Sequence, residues 1–94
     1  MTEVLTPALT LYIAGQLPNS RRACAHLDEW LRACGQSFPL EVVDVLDVPA
    51  RAAAERIFYT PMLVITSEAR RDVLVGDLSD AAELDRLLAP AMAP

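Results

Sequence analysis

Leu9-Thr10-Leu11-Tyr12-Ile13-Ala14-Gly15-Gln16-Leu17-Pro18-Asn19-Ser20-Arg21-Arg22-Ala23 is the stretch that decides the fold. Leu9, Leu11 and Ile13 alternate with Thr10, Tyr12 and Ala14, the period of two that marks a strand, here predicted from Thr6 to Ala14. The second face is only mildly polar, so the strand is expected to be covered on both sides. Gly15 ends it. Asn19 or Ser20 can cap the helix that follows, and Pro18 discourages an earlier start. Ligands of α/β folds gather beyond the carboxyl ends of strands, at corners of this kind. This corner carries no cysteine, histidine, lysine or glycine-rich phosphate loop. It reads as a corner without a nucleophile or a nucleotide.

Beyond the corner, Ala23, Leu27, Trp30, Leu31 and Cys34 recur at three- and four-residue steps and give one apolar helical stripe. Arg22, Asp28, Glu29 and Arg32 lie mainly elsewhere, with Asp28 and Arg32 spaced as a favourable pair. Gly35 is placed to end the helix. His26 falls near the polar face and reads as a solvated side chain, since no second histidine exists to complete a typical metal site. Cys24 and Cys34 stand about 15 Å apart along an intact helix. A bridge needs Cα atoms within about 7 Å, so both read as structural thiols.

Phe38 to Leu46 is predicted as a second strand. Val42, Val43, Val45 and Leu46 make it nearly continuous in apolar character, the pattern of a buried parallel strand. Asp44 reads as an exposed or hydrogen-bonded carboxylate at its end. Asp47 and Pro49 open an alanine-rich helix from Ala50 to Phe58, a segment that would make a poor strand. Pro61, after Tyr59 and Thr60, is a candidate cis-proline. Met62 to Thr66 and Val73 to Val75 are two more strands, with the polar Ser67 to Asp72 holding the turn between them and Gly76-Asp77 ending the second. Asp80 to Glu83 has the form of a capping box ahead of Leu84, Leu87 and Leu88, and Pro90 stops that helix. Residues 1–6 read as a lead-in and 90–94 as a flexible tail.

The order is therefore β-α-β-α-β-β-α. With right-handed crossovers it gives an α/β three-layer sandwich of thioredoxin-like type, one domain over residues 1–94. The formal charge of −5 opposes nucleic-acid binding, which needs concentrated positive charge. All eight basic residues are arginine, a side chain suited to interfaces. Residues 1–7 do not read as a secretory signal, and no apolar run nears the ~20 residues of a membrane span, so a cytoplasmic location is expected. No metal site, phosphate loop or paired-carboxylate arrangement stands out, so neither cofactor nor catalysis is expected. A thiol oxidoreductase is disfavoured because Cys24 comes about a turn too late for a helix N-terminus to stabilise its thiolate.

Leu11 to Gly15 with Pro18-Asn19-Ser20 and Arg22-Ala23 resembles the opening of the circadian clock protein family KaiB. So do Val43 to Leu46, Pro49, Thr60-Pro61 and Gly76-Asp77-Leu78-Ser79, in register from about Leu9 to Leu88. The resemblance implies a non-enzymatic regulator that binds a KaiC-like RecA-type ATPase ring in a clock or clock-derived signalling or stress system. A histidine kinase with a KaiB-like domain is a further partner that it implies. The family has two folds: a thioredoxin-like form that binds the ring, and a ground-state form, often tetrameric, with a rearranged second half. A homo-dimer or tetramer therefore stays open. By position, Asn19, Arg22 and Arg56 correspond to the partner-binding region, and Gly76 and Asp77 to the segment implicated in the fold switch. Glu41 stands where the clock protein has a basic residue, which disfavours a strand-edge contact with a KaiA-type partner, and Asp47 stands where a lysine occurs. The alanines of 50–58 predict that the thioredoxin-like form dominates. An adaptor or dimerisation module without a clock partner is the alternative reading.

Overall fold

The computed structural model describes residues 7–68 and 70–88. Seven elements follow one another: β1 (Ala8–Ile13), α1 (Pro18–Cys34), β2 (Leu40–Asp44), α2 (Pro49–Ala54), β3 (Met62–Thr66), β4 (Arg71–Val75) and α3 (Ala81–Leu88). This is the expected order. The strands form one sheet in the order β2-β1-β3-β4. β2 runs parallel to β1, with Leu11 beside Val42, while β3 is antiparallel to both β1 and β4.

Two apolar layers hold the helices to the sheet. On one face Leu9, Leu11, Leu63 and Ile65 meet Ala23, Leu27 and Trp30 of α1 and Leu84 and Leu88 of α3. On the other, Tyr12, Val43, Met62 and Val64 form a smaller cluster joined by Ile57, just beyond α2. Burying a leucine side chain contributes about 1.5–3 kcal/mol, so the α1–α3 face carries most of the stabilisation. Trp30 donates its indole N–H to Asp85 Oδ1 at 2.9 Å and so ties the two helices of that face together. The Asp28–Arg32 pair forms at 3.1 Å.

Several local expectations need correction. α1 begins at Pro18, with Leu17 as the N-cap and no side-chain cap. Proline suits the first helical position because its missing N–H would have no partner there, so it starts this helix rather than delaying it. Asn19 and Ser20 are thus inside the helix, and the buried Ser20 hydroxyl accepts the Ala14 N–H at 3.0 Å instead of capping. β2 is parallel, yet it is an edge strand and not a buried one: Leu40 and Val42 remain exposed. An apolar run cannot show whether a second neighbour exists to cover it. α2 closes at Ala54, short of Phe58, and Arg56 leaves it with φ of 58°.

At the β3–β4 turn the Ser67 N–H donates to the Arg70 carbonyl, and Arg71 and Asp72 already belong to β4 rather than to the turn. Asp80 does receive the Ala82 N–H on its carboxylate, but Glu83 pairs with Arg86 instead of completing the capping box. Cys24 and Cys34 are free. The expected tail over 90–94 and the lead-in over 1–6 lie outside the described residues.

Candidate functional site

Tyr12 is paired with both Val43 and Met62, and Met62 with Val75. The ends of β1, β2 and β4 and the start of β3 therefore meet at one end of the sheet. Gly15 turns the chain there with φ of +56°, a conformation that favours glycine. Its N–H donates to Asp44 Oδ1 at 3.1 Å, and the same oxygen accepts the Leu46 N–H at 3.0 Å. Asp44 is thus a hydrogen-bonded carboxylate that fastens the β1 corner to the end of β2.

Several large apolar side chains near these strand ends are exposed. Leu17, Leu46, Tyr59 and Val75 are each more than half exposed, at 58%, 69%, 67% and 60%. Leu17 and Pro18 line an open groove with Asn19, Arg22, Thr60 and Pro61. The Thr60–Pro61 bond is cis, and the Pro61 carbonyl accepts the Gly76 N–H at 2.9 Å. Exposed apolar side chains beside a groove of this kind are candidates for a contact surface.

Arg22 supplies the charge. Its guanidinium donates to Asn19 Oδ1, and its Nε stands 3.6 Å from Asp77 Oδ2, an ion-pair distance rather than a hydrogen bond. The structure thereby brings Asn19, Arg22, Gly76 and Asp77 together. Asp77 is held below the usual carboxylate range, first by the Ser79 hydroxyl and backbone N–H on its carboxylate, then by the His26 and Arg22 charges. His26 corrects the sequence reading. It is half-buried, with Nδ1 2.6 Å from the Asp77 carbonyl oxygen, rather than solvated. Nothing in the sequence signals a contact across 51 residues.

The other predicted residues lie apart. Glu41, on the α2 face of the edge strand, is gripped by Arg51 through two hydrogen bonds of 2.6 Å, and this holds its carboxylate below the usual range. Asp47 is exposed in the β2–α2 loop, where its N–H donates to the Asp44 carbonyl. Arg56 is exposed beside Glu55, whose carbonyl accepts from Arg71; Arg71 pairs with Thr66 at the opposite end of β4 from Val75. Arg22 and Arg56 are therefore separate points and not one cluster.

Cys24 lies in the second turn of α1, and burial pushes its thiol up. Among the described residues no three His, Cys, Asp or Glu side chains are placed to hold a metal. No described helix is long and apolar enough to cross a membrane.

A thioredoxin-like fold whose first helix opens on Leu17, Pro18 and Asn19, without a thiol, is the class these observations define. Solved structures agree on the fold: Fasciola hepatica thioredoxin superposes with a TM-score of 0.75 at 14% identity, covering 93% of this chain and 82% of that one. The N-terminal domain of Synechococcus elongatus SasA matches with a TM-score of 0.75 at 27% identity, over 100% of this chain and 93% of that one. The KaiB domain family matches residues 10–90. Circadian clock oscillator proteins KaiB from Prochlorococcus marinus and Trichodesmium erythraeum are each 41% identical over 78 residues. The match spans 80% of this chain in both cases, with 65% of the Prochlorococcus and 73% of the Trichodesmium protein. The chain belongs to the KaiB family.

Proposed function

We propose that this chain is a non-enzymatic, KaiB-type regulator that docks on a KaiC-like RecA-type ATPase in a circadian-clock or clock-derived signalling system. The observation that carries this reading is the corner itself. At the helix start, where a thioredoxin-like fold would present a reactive thiol, this chain has Leu17, Pro18 and Asn19; Arg22 stands one turn further on, oriented by Asn19 and Asp77 and sharing a groove with the exposed Leu17. Apolar area with one fixed arginine is the composition of a protein contact, in which arginine and aromatic residues carry much of the affinity. Arg56 gives a second, separate contact on the α2 side. The same surface could meet a histidine kinase that bears a KaiB-like domain only in competition with the ring. A KaiA-type partner is outside this reading, because Glu41 stands on the edge strand and its carboxylate is engaged by Arg51.

Mixing the protein with a KaiC-like ATPase and following the complex by size exclusion tests the proposal directly. Arg22→Glu and Arg56→Glu should each weaken the complex by tenfold or more, at about 1.4 kcal/mol per tenfold. Unchanged affinity removes that residue from the interface. If the wild-type chain forms no complex but self-associates, it is an adaptor or dimerisation module. Insulin reduction that vanishes with Cys24→Ala and Cys34→Ala would make it a thiol oxidoreductase instead.

A further inference from the structure

We propose that His26 is a positioning residue of the Arg22 contact: by holding the Asp77 main chain it sets where the Asp77 carboxylate, and with it the Arg22 guanidinium, can stand. His26 follows Arg22 by four residues on α1, so the two side chains lie on the same helix face. Both reach the segment between β4 and α3, 51 residues further on for His26. A carbonyl oxygen can only accept, so at 2.6 Å the His26 Nδ1 must donate. Nδ1 therefore carries a proton whether the ring is charged or neutral, and the neutral form is the Nδ1–H tautomer.

The segment it holds needs holding. Asp77 sits between Gly76, with φ of +118°, and Leu78, with φ of +60°. Leu78 is buried, and an L side chain keeps a left-handed backbone only where its surroundings enforce it. The Gly76 N–H is anchored from one side by the Pro61 carbonyl at 2.9 Å. His26 anchors the Asp77 carbonyl from the other. Between these two anchors the Asp77 carboxylate accepts the Ser79 N–H on one oxygen and faces Arg22 with the other. With Nε toward Asp77 and one terminal nitrogen on Asn19, Arg22 keeps further N–H groups for an acidic group of a partner. Loss of the His26 bond would let this frame drift, and Arg22 with it.

What Arg22 meets rests on the proposed function above, whereas the positioning is a property of the free protein and is tested there first. In nitrogen-15 spectra recorded at about pH 8, where an ordinary imidazole is neutral, His26 should show the Nδ1–H tautomer. His26→Leu should speed hydrogen exchange of the Asp77, Leu78 and Ser79 amides by about tenfold, the upper range for one lost hydrogen bond. His26→Asn places an amide N–H where Nδ1 stands and should stay within about twofold of the wild type, while His26→Gln, whose amide matches Nε2, should behave like His26→Leu. The Nε2–H tautomer, or equal exchange in all four proteins, overturns the proposal. Affinity for the KaiC-like ATPase should follow the same order, and adding His26→Leu to Arg22→Ala should cost nothing more, because His26 acts through Arg22. Additive losses would overturn the proposal. A wild-type protein that binds no such ATPase would overturn the partner reading while leaving the exchange result to decide the role of His26.

Discussion

Glu41 on β2 and Arg51 on α2 are joined by two parallel hydrogen bonds of 2.6 Å each, and this fork straps the short helix to the edge strand. The pair is exposed, so its contribution is small and screened by salt. Its sign is nevertheless definite. Arg51 holds the Glu41 carboxyl below its ordinary value in the folded state. A depressed carboxyl stabilises the fold above the unfolded value of about 4.3, and that contribution is lost as pH falls through the folded value. Denaturant midpoints measured from neutral pH downward should therefore fall below about pH 5. Glu41→Gln should flatten part of that fall, leaving the part due to Asp77, which is depressed as well. Superimposable pH profiles for the variant and the wild type would show that the fork does not couple to folding.

The Gly15 corner separates a backbone effect from a steric one. A Cβ at Gly15 would lie 3.1 Å from Leu46 Cδ1, the tip of a flexible and largely exposed side chain that can move aside. The cost of Gly15→Ala should therefore come from the left-handed backbone, about 1–2 kcal/mol. Truncating Leu46 to alanine in the same chain should recover little of it. Recovery of most of the loss in urea titrations would reverse that assignment.

Asp44 should matter through the donors it satisfies. Its Oδ1 accepts from both Gly15 and Leu46, and Asp44→Ala would leave two N–H groups without that partner. Leaving such groups unpaired costs about 1–3 kcal/mol where water cannot replace the acceptor. Asp44→Asn keeps an acceptor oxygen and should lose less than half as much. Equal losses for the two variants would mean that the charge, and not the hydrogen bonds, holds the corner.

The element order was legible because the periods of two and 3.6 do not depend on distant contacts: Leu9, Leu11, Leu27 and Leu84 face the core as their spacing requires. β2 was misread because Val42 and Val43 look alike in sequence. Only the sheet order leaves Val42 open and Val43 covered. The candidate site divides in the same way. Asn19, Arg22, Gly76 and Asp77 could be marked one by one from their motifs, but that they form a single frame depends on α1 lying against the β4–α3 joint. Asp44 was legible as a strand-end carboxylate with hydrogen bonding as one option, but the donors it accepts from were not; nor was the partner of His26, since these partners are main-chain groups, and any residue type can supply those.

Leu63 and Val42 occupy equivalent positions on either side of Leu11, one in a central strand and one at the edge. Leu63 is fully buried and Val42 is 49% exposed. Leu63→Ala should cost 2–5 kcal/mol, roughly the range for a buried leucine, while Val42→Ala should stay within about 0.5–1 kcal/mol. A loss at Val42 as large as that at Leu63, at a concentration where the protein is monomeric, would show that the edge is covered in solution.

Arg56 combines a conformational cost with a proposed contact. It leaves α2 at φ of 58°, a backbone that glycine adopts freely and arginine does not. Arg56→Gly should therefore raise stability by about 0.5–1 kcal/mol, the left-handed penalty reduced by the larger entropy glycine loses on folding. If Arg56 also meets the ATPase, the same variant should bind it more weakly. A more stable protein that grips its partner less well would mean the side chain is strained for the sake of contact. A variant that gains stability and keeps its affinity would confine Arg56 to the fold.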